Sequence, residues 1–142
     1  MLRFRLSLLT LLALLASPAA TGAAAPAPGF QVDLAGPGRA HIECFVVRDV
    51  LSCLNYSRAV APGRCDFGGD VPTVKLNRRE RARATFTCVD EGFHGWKRLR
   101  SGQTFRSGVF RCRTRDGRTS LRCTSLLSSR SFTISSDGRV RR

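Results

Sequence analysis

Two histidines, ten acidic side chains and six cysteines are the residues of this 142-residue chain best suited to chemistry. Nucleophilic hydrolysis needs a nucleophile, a histidine and an orienting acid in contact, and His41 and His94 are the only histidine bases. No serine sits in a Gly-x-Ser-x-Gly frame, the strained turn that exposes a nucleophile. His94 falls in Asp90-Glu-Gly-Phe-His-Gly-Trp96. There Asp90, His94 and Trp96 could shape a ligand loop, since loops commonly carry binding sites. The two acids and one histidine of that loop make at best a weak metal site. Paired carboxylates for glycoside hydrolysis would have to come from acids that mostly fall in turns. No catalytic residue, metal or cofactor is therefore expected, and the enzyme reading ranks last.

The cysteines do a different job. Cys44, Cys53, Cys65, Cys88, Cys112 and Cys123 lack the close C-x₂₋₄-C pairs of a zinc site. An even count in a small exported domain reads as three disulfides, although six cysteines allow fifteen pairings. Hairpin register selects among them. In Ile42-Glu-Cys44 through Cys53, a two-residue turn at Arg48-Asp49 pairs Val47 with Val50 and sets Cys44 opposite Cys53. Opposed strand residues lie about 4.5–5.5 Å apart, within disulfide reach. Arg-Asp is not a favoured turn dipeptide. In Val109 through Cys123, a loop from Asp116 to Thr119 pairs Arg115 with Ser120 and brings Cys112 opposite Cys123, with Asp-Gly supplying the turn chemistry. Cys65 and Cys88 remain for the third bridge, so the expected set is sequential.

The same register gives the arginines a direction. The chain carries 24 Lys and Arg against 10 Asp and Glu, a formal charge of +14, and only Lys75 and Lys97 are lysine. A GC-rich genome would enrich arginine and alanine alike, so the count by itself assigns no partner. Position says more. If Cys112 and Cys123 face a core, then Arg111, Arg113 and Arg115 point outward and Arg122 lies opposite Arg113. Like charges directly opposed destabilise a sheet unless solvated or bridged by an anion. A second basic run, Trp96-Lys97-Arg98-Leu-Arg100, adds an aromatic, and Arg139-Val-Arg-Arg142 forms a basic tail.

The elements that must position these residues are short. Gly29 to Leu34, Val71 to Leu76, Ala82 to Cys88 and Ser131 to Ser135 all read as strands, with a polar turn at Asn77-Arg-Arg-Glu80. Ala82, Ala84, Phe86 and Cys88 alternate with polar residues, the period of a half-buried strand. Leu76 to Ala84 could instead hold a turn or two of helix. Short strands punctuated by turn signals predict an all-β domain over residues 30–142, built of antiparallel hairpins and stapled by three disulfides.

Ahead of it, Arg3 and Arg5 precede the apolar run Leu6 to Ala16, and small residues follow. Basic, apolar and then small is the order of a secretory signal peptide, here residues 1–23 with cleavage between 19 and 25. The apolar run is shorter than the ~20 residues that span a bilayer. Residues 24–29 read as an Ala/Pro spacer. The domain is thus expected outside the cytoplasm, extracellular or periplasmic, with no transmembrane segment. Asn55-Tyr-Ser57 fits the N-glycosylation sequon.

The order of motifs resembles a family of uncharacterised secreted proteins, mostly actinobacterial, whose domain of unknown function has six cysteines. Phe30, Ile42-Glu-Cys44, Cys53, Cys65-Asp-Phe-Gly68 and Cys88-Val-Asp90 carry the first half of the likeness. Leu99-Arg-Ser-Gly102, Phe110-Arg-Cys112, Leu121-Arg-Cys123 and Phe132-Thr-Ile-Ser135 carry the second. Where the family often has Gly-His-Gly-Phe, this chain has Ser129-Arg-Ser-Phe132, so a role for that histidine does not transfer. The resemblance implies export and disulfides and brings no activity.

The leading expectation is a non-enzymatic domain that binds an anionic envelope polymer, lipid headgroups or an acidic protein. Arg111, Arg113, Arg115, Arg122, Lys97, Arg98 and Arg100 are its anion-binding residues. Nucleic acid is not the partner expected of an exported protein. A secreted protein-binding module or enzyme inhibitor is the alternative, and a small secreted hydrolase the remote third.

Overall fold

Alternation of apolar and polar residues over short runs, broken by glycine-bearing turns, produces eleven strands and two single-turn 3₁₀ segments among the described residues. The computed structural model describes residues 27–58, 65, 68–89 and 95–142, with backbone alone at Arg58 and Asp116. The leader and spacer through residue 26 lie outside these. Strands β1 (Gly29–Asp33), β2 (His41–Val47), β3 (Val50–Asn55), β4 (Gly69–Asn77), β5 (Arg83–Val89) and β6 (Lys97–Arg98) form one sheet in the order β5-β4-β3-β2-β1-β6. Strands β7 (Thr104–Ser107), β8 (Phe110–Thr114), β9 (Ser120–Ser125), β10 (Ser131–Ser135) and β11 (Val140–Arg141) form the second, a plain meander. The fold is all-β, as the strand spacing predicts. Every strand pair is antiparallel except β6, which runs parallel to β1.

The two sheets share one core. Phe30, Val32, Ile42, Leu51, Val74 and Leu76 from the first meet Phe110, Leu121, Phe132 and Ile134 from the second. At its centre lie two fully buried disulfides, Cys44–Cys53 on the first sheet and Cys112–Cys123 on the second. The sulfurs of Cys44, Cys53 and Cys123 all fall within 4.8 Å of one another, so the bridges meet across the interface. Cys44 pairs with Cys53 and Cys112 with Cys123 in register, with Cα separations of 4.1 and 4.0 Å. These are the close distances of non-hydrogen-bonded cross-strand pairs. The third bridge joins Cys65 to Cys88. Two of these pairings are those that hairpin register selects, and the third is the pair that remains.

The Arg48-Asp49 turn takes left-handed φ at both residues, 47° and 63°, the geometry of a type I′ turn that ordinarily asks for Asn-Gly. An ion pair from Asp49 to Arg78 on the neighbouring turn holds it. On the first sheet the outward side is also covered. Leu54, Thr73 and Glu43 point away from the core yet are buried, and the 3₁₀ segment Tyr56–Arg58 packs on β2 and β4. Asn55, the sequon asparagine, is buried as well.

Two expectations need correction. Leu76 to Ala84 contains no helical turn: β4 ends at Asn77, residues 78–80 bend, and β5 begins at Arg83. Nor is β5 half-buried: Ala84, Phe86 and Cys88 are exposed despite their alternation. β5 is the edge of the wider sheet, and its inward face has little opposite it. Periodicity reports a strand's two faces but not whether anything covers them.

At one end the β1–β2 loop packs on the β10–β11 turn. A Cβ on Gly38 would lie 2.3 Å from the Ser136 carbonyl oxygen and 2.8 Å from the Asp137 Cα, both of them backbone atoms. Gly38→Ala is expected to destabilise by about 1–3 kcal/mol, the usual range for overpacking, measured by urea unfolding. The disulfides allow a second prediction. Chain entropy favours the 23-residue Cys65–Cys88 separation over the 9-residue Cys44–Cys53 one by only about 0.8 kcal/mol. Each buried sulfur removed from the core costs roughly 1 kcal/mol through its cavity. Cys44→Ala with Cys53→Ala should therefore lower stability more than Cys65→Ala with Cys88→Ala. The reverse order in urea unfolding would show that loop entropy governs.

Candidate functional site

Because side chains alternate along each strand, inward cysteines force the flanking arginines outward. On the second sheet Thr104, Arg113, Arg122, Thr133 and Arg141 form one continuous row across all five strands. Arg106, Arg111, Thr124 and Ser131 form the next row. Arg113 and Arg122 are direct partners, as are Arg106 and Arg111. Two open grooves flank the Arg113–Arg122 pair. One, of about 490 Å³, is lined on its far side by Arg115, Ser120 and Arg141; the other, of about 460 Å³, by Arg106, Arg111 and Ser129.

Among the described residues no carboxylate lies within 4.0 Å of Arg106, Arg111, Arg113, Arg115, Arg122 or Arg141. Arg122 reaches only the Ser131 hydroxyl, at 3.4 Å. The grooves contain no aromatic side chain. The face therefore offers guanidinium forks and hydroxyls, the groups that match phosphate, sulfate or carboxylate oxygens.

The other basic run divides. Lys97 lines a cleft with Thr104 and Arg106 at the β7 edge, extending the cationic surface around the corner. Arg98 turns to Asp33, its Nη1 3.2 Å from Oδ2. Arg100 is exposed in the turn before β7, where its backbone N–H donates to Gln103 Oε1 at 2.7 Å. Arg106 and Arg141 escaped the sequence reading. Thr104-Phe-Arg-Ser107 before Gly108 carries the alternation that would have revealed β7. The basic C-terminal residues include β11 rather than forming a loose tail.

Of the loop Asp90, His94 and Trp96, the first two lie outside the described residues. Trp96 covers Gly29, where a Cβ would come 2.5 Å from the indole, and its ring centroid lies 5.6 Å from that of Phe45. Gln31 Nε2 donates to its carbonyl at 2.9 Å. Trp96 thus packs on the outward face of β1 and β2, over the Gly29–Phe45 pair.

A second titratable cluster surrounds His41, on the outward side of the first sheet. Nδ1 lies 2.6 Å from Asp33 Oδ1 and Nε2 3.3 Å from Glu43 Oε1. Both ring nitrogens are engaged by carboxylates. The nearby Ser57 hydroxyl accepts the His41 backbone N–H at 2.6 Å and donates to the Arg39 carbonyl at 3.2 Å. The cysteine sulfurs that cluster, including Cys65 and Cys88 beside Asp70, are all in disulfides and leave no thiolate for a metal.

Comparison with family models, with curated protein sequences and with solved structures finds no match for this chain.

Tyr56, beside this cluster, is the chain's one tyrosine. Burial, and next the adjacent Glu43 charge, hold its phenol well above the usual range. The folded state keeps this proton where the unfolded chain releases it near the ordinary tyrosine pKa of about 10. That contribution to stability is complete below this pH and is lost as pH rises toward the folded value. Phenolate absorbance of the native protein should therefore appear well above pH ~10, returning to about 10 in denaturant. Tyr56→Phe should flatten the loss of stability in alkali.

Proposed function

We propose that this chain is an exported, non-enzymatic domain whose arginine face binds an anionic polymer or acidic partner at the cell exterior. The observation that carries this reading is the directly opposed Arg113–Arg122 pair, with no carboxylate within 4.0 Å of it among the described residues. Opposed like charges cost stability in a sheet, and an anion seated between them turns repulsion into attraction. Arginine, with its planar fork, is the residue suited to holding such an anion bidentately. The absence of aromatics from the grooves disfavours stacking on bases, so charge and hydroxyls would do the recognition.

Export is supported by the basic-apolar-small leader, by the likeness to secreted six-cysteine proteins, and by three disulfides among the described residues. Such bridges persist in oxidising compartments. No helix among the described residues is long and apolar enough to cross a membrane.

Inorganic polyphosphate and polyglutamate serve as probes, and binding should weaken linearly in log K against log salt. Arg113→Glu with Arg122→Glu should abolish it, while Lys75→Glu, exposed on β4 of the other sheet, should leave it nearly intact. Arg122→Glu alone should raise stability by about 0.2–1 kcal/mol, since an opposite-charge pair replaces a like-charge one. Unchanged polyanion binding in the double variant would exclude this face as the site.

A further inference from the structure

The end of the sandwich away from the β1–β2 loop has a second surface. Among the described residues four large apolar side chains are exposed, and three of them sit on hairpin tips at this end: Leu126 (48%) and Leu127 (53%) on the β9–β10 turn, and Val47 (45%) beside the β2–β3 turn. The fourth, Phe86, lies on the edge strand β5. Four hairpin tips meet at this end and are tied into one platform. Arg78 on the β4–β5 turn pairs with Asp49 on the β2–β3 turn. Ser125 Oγ donates to the Arg78 carbonyl at 2.5 Å, and the Leu126 N–H to the Val109 carbonyl at 2.8 Å. Ser125 N–H also donates to the Arg130 carbonyl at 2.8 Å, closing the β9–β10 turn. The two leucines are thus held outward by a hydrogen-bonded turn on a fixed base.

Charge at this end is one-sided. Its acids among the described residues, Asp49 and Glu80, are taken by Arg78 and Arg83. Arg48, Arg79, Arg81 and Arg130 are exposed, with no carboxylate within 4.0 Å among the described residues. An apolar tip with a free cationic rim matches a lipid surface. Leucines gain by leaving water for hydrocarbon, and arginines lay their stems along apolar surface while the heads meet anionic headgroups. A protruding tip needs no preformed cavity in its partner, which a fluid bilayer satisfies and a folded protein surface does not in general.

We propose that the Leu126–Leu127 turn inserts into the interfacial layer of an anionic lipid bilayer, with Arg48, Arg79, Arg81 and Arg130 on its headgroups. This site is separate from the arginine face of β8 and β9, and either could fail without the other.

The test uses the leaderless, disulfide-bonded protein with vesicles of mixed phosphatidylglycerol and phosphatidylcholine. Leu126→Ser with Leu127→Ser should lower vesicle affinity at least about tenfold, the loss expected when two side chains no longer leave water. Its thermal midpoint should be unchanged, because both side chains are already solvent-exposed. Leu127→Trp should show blue-shifted emission, quenched by brominated lipid, above the constant Trp96 signal. Arg113→Glu with Arg122→Glu should keep this quenching even where it abolishes polyphosphate binding. Unshifted Leu127→Trp emission, or undiminished vesicle binding by the serine variant, would overturn the proposal. Leucine-dependent binding to polyglutamate with vesicles left unbound would overturn it in favour of a protein partner.

Discussion

Two disulfides meeting in the core, one from each sheet, set the register on which the rest of this molecule depends. Each joins directly opposed residues of a hairpin, so neither hairpin can slide without breaking a covalent bond. In a sheet a slip of one residue exchanges the two faces. For β8 and β9 that exchange would carry Arg113 and Arg122 into the core and Cys112 and Cys123 into water. The bridges therefore fix the outward direction of the arginines as firmly as they fix the packing of Phe30, Phe110 and Phe132 around them. A cationic row that repels itself is tolerated because the strands bearing it cannot shift to relieve the repulsion.

Much of this was legible in the residues. The cysteine spacings carry the hairpin register, and the register carries both bridge pairing and arginine direction. Both properties follow from a period of two, which a sequence displays directly. What stayed hidden depends on which elements cover which. The alternation in Ala84, Phe86 and Cys88 describes a strand correctly, but its exposure depends on the width of the opposite sheet. Leu54 and Thr73 read as outward residues and are nonetheless buried, on the side where the 3₁₀ segment Tyr56–Arg58 packs against β2 and β4. Arg141 belongs to a strand of two residues, too short for periodicity to register.

The same limit applies to the two clusters that sequence distance conceals. Asp33, His41 and Glu43 come together because β1 and β2 place Asp33 opposite His41, with Glu43 two residues further along the same face. The hairpin tips around Leu126 come together only when both sheets stack. A local reading sees Leu126-Leu127 as an unremarkable apolar pair that the core could absorb. Its exposure follows from a backbone bond to Val109 on another turn, 17 residues earlier in the chain.

The order of the bridges bears on how the protein acquires them. Each cysteine is joined to the next one along the chain, at separations of 9, 23 and 11 residues. A polypeptide released N-terminus first exposes Cys53 while Cys44 has no other thiol to meet, and each later pair appears after the previous one is complete. Two of the pairs sit in hairpins, which close within about 1–10 μs, far faster than thiol chemistry. An oxidant that simply joins thiols in order of appearance would make every native bond at the first attempt. Thiol–disulfide exchange, the slow route by which mispaired chains are corrected, would have nothing to correct.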